Sequence, residues 1–142
     1  MTDRAPATLS PDQVAALPSG ALVERMGIQI LEAGSERTVA RMPVEGNTQP
    51  YGLLHGGASA VLAETVGSIA SAVHAGAGRI AVGIDLNATH HRAVRSGEVT
   101  AVATPLALGR SVASYEIVVT DQDGARVCTA RLTCSLRDRP PA

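Results

Sequence analysis

Residues 57–75 read GASAVLAETVGSIASAVHA, the longest stretch of this chain that nothing interrupts. Leu62, Val66, Ile69 and Val73 recur at spacings of four, three and four, which is the period of one helix face. Gly76 and Gly78 close the segment. Its residues are small and apolar on nearly every side, so the helix is expected to be buried all round. Beyond it the period changes to two. In Ile80-Ala81-Val82-Gly83-Ile84-Asp85-Leu86-Asn87 the even positions carry the large apolar groups. Three more β-like runs follow near 97–105, 111–120 and 126–137, parted by turns at Leu108-Gly109 and Asp123-Gly124. Upstream, 26–33 and 37–44 read as two strands joined at Gly34-Ser35, and a loop rich in turn formers spans 45–52. Ser10-Pro11-Asp12-Gln13 starts a short helix, with Ser at the N-cap, and Pro18 and Gly20 end it. The order is helix, two strands, one long helix, four strands. An α+β domain follows, its predominantly antiparallel sheet wrapped around the long central helix.

A chain of 142 residues holds one domain. It is expected over 20–137, after a leader and short helix (1–19), of which residues 1–9 read as a loose leader, and before a tail (138–142). Hydrophobic residues make up 45% and charged residues 18%, a globular balance. All basic residues are arginine, so Schiff-base and amine-nucleophile chemistry and a P-loop lysine are excluded. Tyr51 and Tyr115 are the only aromatics, and the net charge is −1. Stacking platforms and a basic field are both missing, so no nucleic-acid partner is expected. Met1–Pro6 lacks the apolar core of a signal peptide, and no stretch is read as approaching the ~20 apolar residues of a membrane span. Cys128 and Cys134 fall on one strand roughly 20 Å apart at ~3.3 Å per residue, too far to bridge each other. They share a face with Ala130, Leu132 and Leu136 and read as core thiols. A reduced, cytoplasmic protein is expected, with no metal and no cofactor.

Chemistry concentrates on the long helix. Glu64 is the only ionisable group between His55 and His74. A carboxylate among Ala, Gly, Val, Leu and Ile is costly unless paired or put to use. It could instead mark an exposed helix face or bond to backbone, but a solvated face normally carries more than one charge. Ser68, one turn on, is placed to orient the carboxylate or a water. Leu54-His55-Gly56-Gly57 opens the same helix, where glycines let a ligand approach free N–H groups and the dipole favours developing negative charge. Gly56 and Glu64 are eight residues apart, ~12 Å along a helix at 1.5 Å per residue. One chain cannot easily bring both to one carbonyl, whereas two antiparallel helices of a two-fold dimer can.

The run from Asn47 to Ser68, NTQPYGLLHGGASAVLAETVGS, closely resembles the hotdog-fold acyl-CoA thioesterases. The similarity is to their PaaI-like branch, which includes 4-hydroxybenzoyl-CoA and 1,4-dihydroxy-2-naphthoyl-CoA thioesterases. It continues through Val82–His90 and Pro105–Arg110, and covers roughly residues 20–137. The resemblance implies that Glu64 is nucleophile or general base and that the Gly56 amide polarises the thioester carbonyl. Gln49 would hold the water or the carbonyl, His55 would support the thioester end, and Ser68 would assist the water. Glu64 and Gly56 would come from different subunits of a dimer, with dimers pairing into a tetramer. Other members carry Asp on this helix, so Glu favours an aromatic acyl-CoA. Arg92, Arg95 and Gly109-Arg110-Ser111 match positions that touch the CoA nucleotide. His90 matches a position near the acyl pocket. His91 beside it should face away, because successive strand residues alternate. The alternatives are a proofreading thioesterase acting on a carrier protein and a non-catalytic acyl-CoA binder.

Overall fold

In the computed structural model, residues 7–142 are described; the leader residues Met1–Pro6 lie outside them. Two short helices, α1 (Pro11–Ala15) and α2 (Ala21–Met26), precede strands β1 (Gln29–Glu32) and β2 (Thr38–Pro43). The long helix α3 (Gly56–Ala75) follows, then β3 (Arg79–His90), β4 (Glu98–Leu108), β5 (Val112–Thr120) and β6 (Arg126–Asp138). The six strands form one sheet in the order β1-β2-β4-β5-β6-β3, with every pairing antiparallel. The expected architecture is met, and α3 carries the chain from β2 across the sheet to its far edge.

The core lies between α3 and one face of the sheet. β6 shows why: Cys128, Ala130, Leu132, Cys134 and Leu136 alternate inward and are buried, both thiols free. Small residues let the helix approach closely. A β-carbon on Gly67 would lie 2.6 Å from Leu132 Cδ2. At 20 residues and mean hydropathy 1.2, α3 is long and apolar enough to cross a bilayer, contrary to the expectation from sequence. Here that apolarity packs on the sheet.

Three further expectations need correction. First, α3 is not buried all round. Leu62 and Val66 lie in the core with Ala63, Gly67 and Ala70, but Ile69 and Val73 turn to an open flank shared with Val61, Glu64 and Ser68. Second, the sequence reading missed α2. Its N-cap is Gly20, which has no side-chain oxygen to signal a start, and six residues are too few to show a period. Third, residues 7–9 are not a loose leader. Thr8 bridges to Gly34, and Leu9 N–H donates to the Ala33 carbonyl at 2.8 Å.

β3 departs most from its pattern. Its pairing with β6 shifts between Gly83 and Asp85, leaving Ile84 as an extra residue. One extra residue exchanges the faces of everything beyond it. Before the bulge Ala81 and Gly83 pair with the inward Leu136 and Cys134; after it Leu86, Ala88 and His90 pair with Leu132, Ala130 and Cys128. The even apolar positions therefore do not share one face. Val82 (40% exposed) and Ile84 (57%) are left open on an edge strand whose second side has no neighbour in the sheet among the described residues.

Candidate active site

The N-terminus of α3 is assembled from a loop tied down on all sides. Leu54 N–H donates to the Val94 carbonyl at 2.7 Å and His55 N–H to the Asn47 carbonyl at 2.9 Å. Asn47 Nδ2 in turn donates to the carbonyls of Met26 and Pro43, both at 2.8 Å. Gln49 Oε1 accepts from the Tyr51 and Leu53 amides, which leaves its Nε2 as the end available to a ligand. His55 is the N-cap of α3: its Nδ1 accepts from Gly57 N–H at 2.8 Å. That bond requires an unprotonated Nδ1. The family resemblance implies support of the thioester end for His55, while the residue read alone is more often structural, and the cap is such a structural role. Gly57 is thereby engaged, whereas among the described residues nothing accepts from Gly56 N–H.

His90 lies over Gly56: a β-carbon there would meet His90 Nε2 at 2.8 Å. Gln49, Gly56 and His90 border one cavity of about 370 Å³, together with Leu53, Leu54, Ser59, His91, Arg92, Ala93 and Val127. The His91 ring turns to Thr129 of β6, with Nε2 2.9 Å from Oγ1, and His90 turns to the helix. The rings diverge as alternation requires, yet both residues border the cavity. The strand ends at His90, so the expectation that the two cannot share a site is corrected.

Glu64 and Ser68 open onto a second space, a groove of about 1210 Å³ between α3 and the N-terminal segment. Leu9, Val14, Leu17, Leu22, Val23 and Ile30 form the opposite wall, with Val61, Ile69 and Val73 beside Glu64. Sequence reasoning missed this wall, because α1 and α2 are too short for a periodic pattern. Glu64 is exposed in the single chain, so water reaches it, contrary to the burial argument from sequence. Among the described residues no cation or donor pairs with its carboxylate. Its inner neighbour is Cys134, whose thiol is pushed up by burial; the Ser71 and Ser68 hydroxyls hold it down and the Glu64 charge raises it further. Among the described residues the Ser71 Oγ is buried with no hydrogen bond of good geometry, donated or accepted.

The arginines scatter. Arg92 borders the smaller cavity, its Nε 3.7 Å from Asp121 Oδ2, while Arg95 is exposed and borders neither space. Gly109, Arg110 and Ser111 form the exposed β4–β5 turn, where the Gly109 carbonyl accepts from His74 Nε2 at 2.8 Å. His74 stands eighteen residues from Gly56 on α3, ~27 Å at 1.5 Å per residue. Within one chain this turn and the Arg92 cavity are therefore not brought together. No three His, Cys, Asp or Glu side chains cluster as a metal site among the described residues.

Comparison with known proteins identifies the family of the chain. The family model of the thioesterase superfamily matches residues 51–128. The proofreading thioesterase EntH of Cronobacter turicensis is 48% identical over 118 residues, which is 82% of this chain and 86% of that protein. Its Cronobacter sakazakii counterpart matches with the same identity and coverage. Among solved structures, thioesterase HI1161 from Haemophilus influenzae superposes with a TM-score of 0.86 at 41% identity, covering 93% of each chain. A mutant of thioesterase PA1618 from Pseudomonas aeruginosa gives 0.87 at 38%, covering 94% of this chain and 97% of the other.

Proposed function

Because the chain belongs to the thioesterase superfamily and is a hotdog-fold thioester hydrolase, we propose that it cleaves an acyl-CoA, aromatic by preference, to free acid and CoA. One observation carries the assignment of roles. The unpaired carboxylate of Glu64 opens onto an apolar groove, while the free Gly56 N–H opens onto a separate cavity with Gln49 and His90. Each space holds half of what acyl transfer needs. The groove takes the acyl group beside the carboxylate, and the cavity supplies donors for an oxyanion.

The halves are joined by a second copy. Antiparallel pairing along the open edge of β3 covers Val82 and Ile84 and sets Glu64 of one copy against Gly56 of the other. Dimers would pair further into a tetramer in the cytoplasm. At the joined site Glu64 either attacks the carbonyl carbon or takes a proton from a water that does. Charge moves to the carbonyl oxygen, where the Gly56 N–H and the N-terminal dipole of α3 receive it. The C–S bond then breaks and the thiolate leaves, taking up a proton from solvent or from the Glu64 carboxyl that deprotonated the water. Where Glu64 itself attacked, water then hydrolyses the acyl–Glu64 anhydride, releasing the acid and restoring the carboxylate. Arg92, Arg95 and the turn Gly109–Ser111 bind the CoA phosphates. Their separation in one chain makes the nucleotide, too, a ligand of more than one copy.

The test is thiol release from benzoyl-CoA by wild type and Glu64→Gln. A loss of two or more orders of magnitude supports the assignment; equal rates remove it. A second reading is favoured by the EntH relatives, whose name describes proofreading. It makes the substrate an acyl group on the phosphopantetheine of a carrier protein. Slow turnover of CoA esters with fast turnover of the loaded carrier would select it.

A further inference from the structure

Gly83 has no backbone reason to be glycine. Its φ lies outside the positive range that the strained glycines of this chain adopt, so any L-residue fits the strand there. Space decides instead. A β-carbon on Gly83 would stand 2.8 Å from Glu64 Oε1, well inside van der Waals contact, and 3.5 Å from Leu132 Cδ1, an ordinary contact. Gly83 lies just before the bulge at Ile84, on the inward face opposite Cys134 and towards α3.

We infer that Gly83 is the positioning residue of the Glu64 carboxylate. No cation and no donor fixes that carboxylate among the described residues, so its place is set by what it rests on. On that side lies Gly83, whose missing side chain leaves the space the carboxylate occupies, so a methyl group there would have to displace it. The inference rests on the reading of Glu64 as the catalytic carboxylate. An alanine at 83 forces the flexible end of Glu64 away and leaves the backbone and Leu132 where they are. Catalytic groups must be held within about 0.5 Å of productive geometry, and a misplacement of about 1 Å costs about a hundredfold.

The experiment is a cycle of wild type, Gly83→Ala, Glu64→Gln and the double variant, measured on benzoyl-CoA and on a benzoyl-loaded carrier protein. Gly83→Ala is expected to lower kcat about tenfold to a hundredfold, with KM and the unfolding midpoint unchanged. In the Glu64→Gln background it is expected to cost nothing more, because the carboxylate whose placement it alters has been replaced by an unreactive amide of equal size. A Gly83→Ala enzyme as fast as wild type overturns the inference, and so does an equal further loss in the double variant. If Glu64→Gln itself turns over like wild type, the parent reading has failed first, and the inference with it. A crystal structure of Gly83→Ala gives a substrate-free check. A displaced Glu64 carboxylate supports the inference; an unmoved one, or a variant that does not fold, refutes it.

Discussion

Gly83 and His90 both face α3 although they stand seven residues apart on β3, an odd spacing that a regular strand would send to opposite faces. The extra residue Ile84 reconciles them. One bulge thus sets Gly83 beneath the Glu64 carboxylate and His90 over Gly56. The two halves of the site on α3 are served by a single strand irregularity. Deleting Ile84 restores regular pairing, so one of the two must turn outward. Thioester turnover of the deletion variant is expected to fall at least about a hundredfold, with far-UV circular dichroism retained. Undiminished turnover would show that the bulge does not set the site.

Gly56→Ala tests the other end of the helix. The new β-carbon would lie 2.8 Å from His90 Nε2, so the ring must move and the approach to the Gly56 amide narrows. We expect kcat to fall about tenfold or more, by analogy with the loss of one oxyanion donor. The measurement is steady-state kinetics beside a melting curve. A drop in stability equal to the drop in rate would point to misfolding instead.

His55 separates capping from catalysis. Removing its bond to Gly57 N–H in His55→Ala should cost about 0.5–2 kcal/mol of stability. Asn also caps helices well, so His55→Asn should recover most of it. Denaturant unfolding of the three proteins gives the stability order. If His55→Asn also keeps full turnover, the imidazole has no further part at the thioester.

High pH should unfold the protein through three buried acids. Burial raises the thiols of Cys128 and Cys134 above the ordinary 9.0, and it holds the Tyr115 phenol well above the ordinary 10.0, aided by the nearby Glu36 charge. The folded state keeps these protons longer than the unfolded chain does. Stability is therefore complete below pH ~9 and falls as pH rises towards the folded-state values. Unfolding midpoints between pH 8 and 11 should show the decline, and Tyr115→Phe should flatten its upper part. Near neutrality the same variant should be less stable by about 1 kcal/mol, since Tyr115 Oη donates to the buried Ser35 carbonyl at 2.7 Å.

Val82→Arg addresses the second copy. A charge on the open side of β3 blocks edge pairing at little cost to the single chain, because Val82 already faces outward. Light scattering is expected to report the mass of one chain and thiol release to vanish. A variant that stays oligomeric and active would move the interface away from β3.

Local chemistry made much of this protein legible in its sequence. The period of residues 57–75, the glycines after them and the alternation in β6 set a long helix against an antiparallel sheet, because each element must bury one face. Glu64 stood out as the one carboxylate on that helix, and Gly56 as a glycine at its N-terminus. What the sequence could not determine depends on contacts between distant residues. A bulge is a property of two paired strands, so nothing in 80–87 announced that its even positions change faces at Ile84. The open flank of α3 and the wall opposite Glu64 arise where α1 and α2, too short to carry a pattern, come to rest. The chain order supplied the residue types of the candidate site. Only the tertiary structure decided that the carboxylate and the free amide open onto different cavities, because a rigid helix keeps eight residues ~12 Å apart.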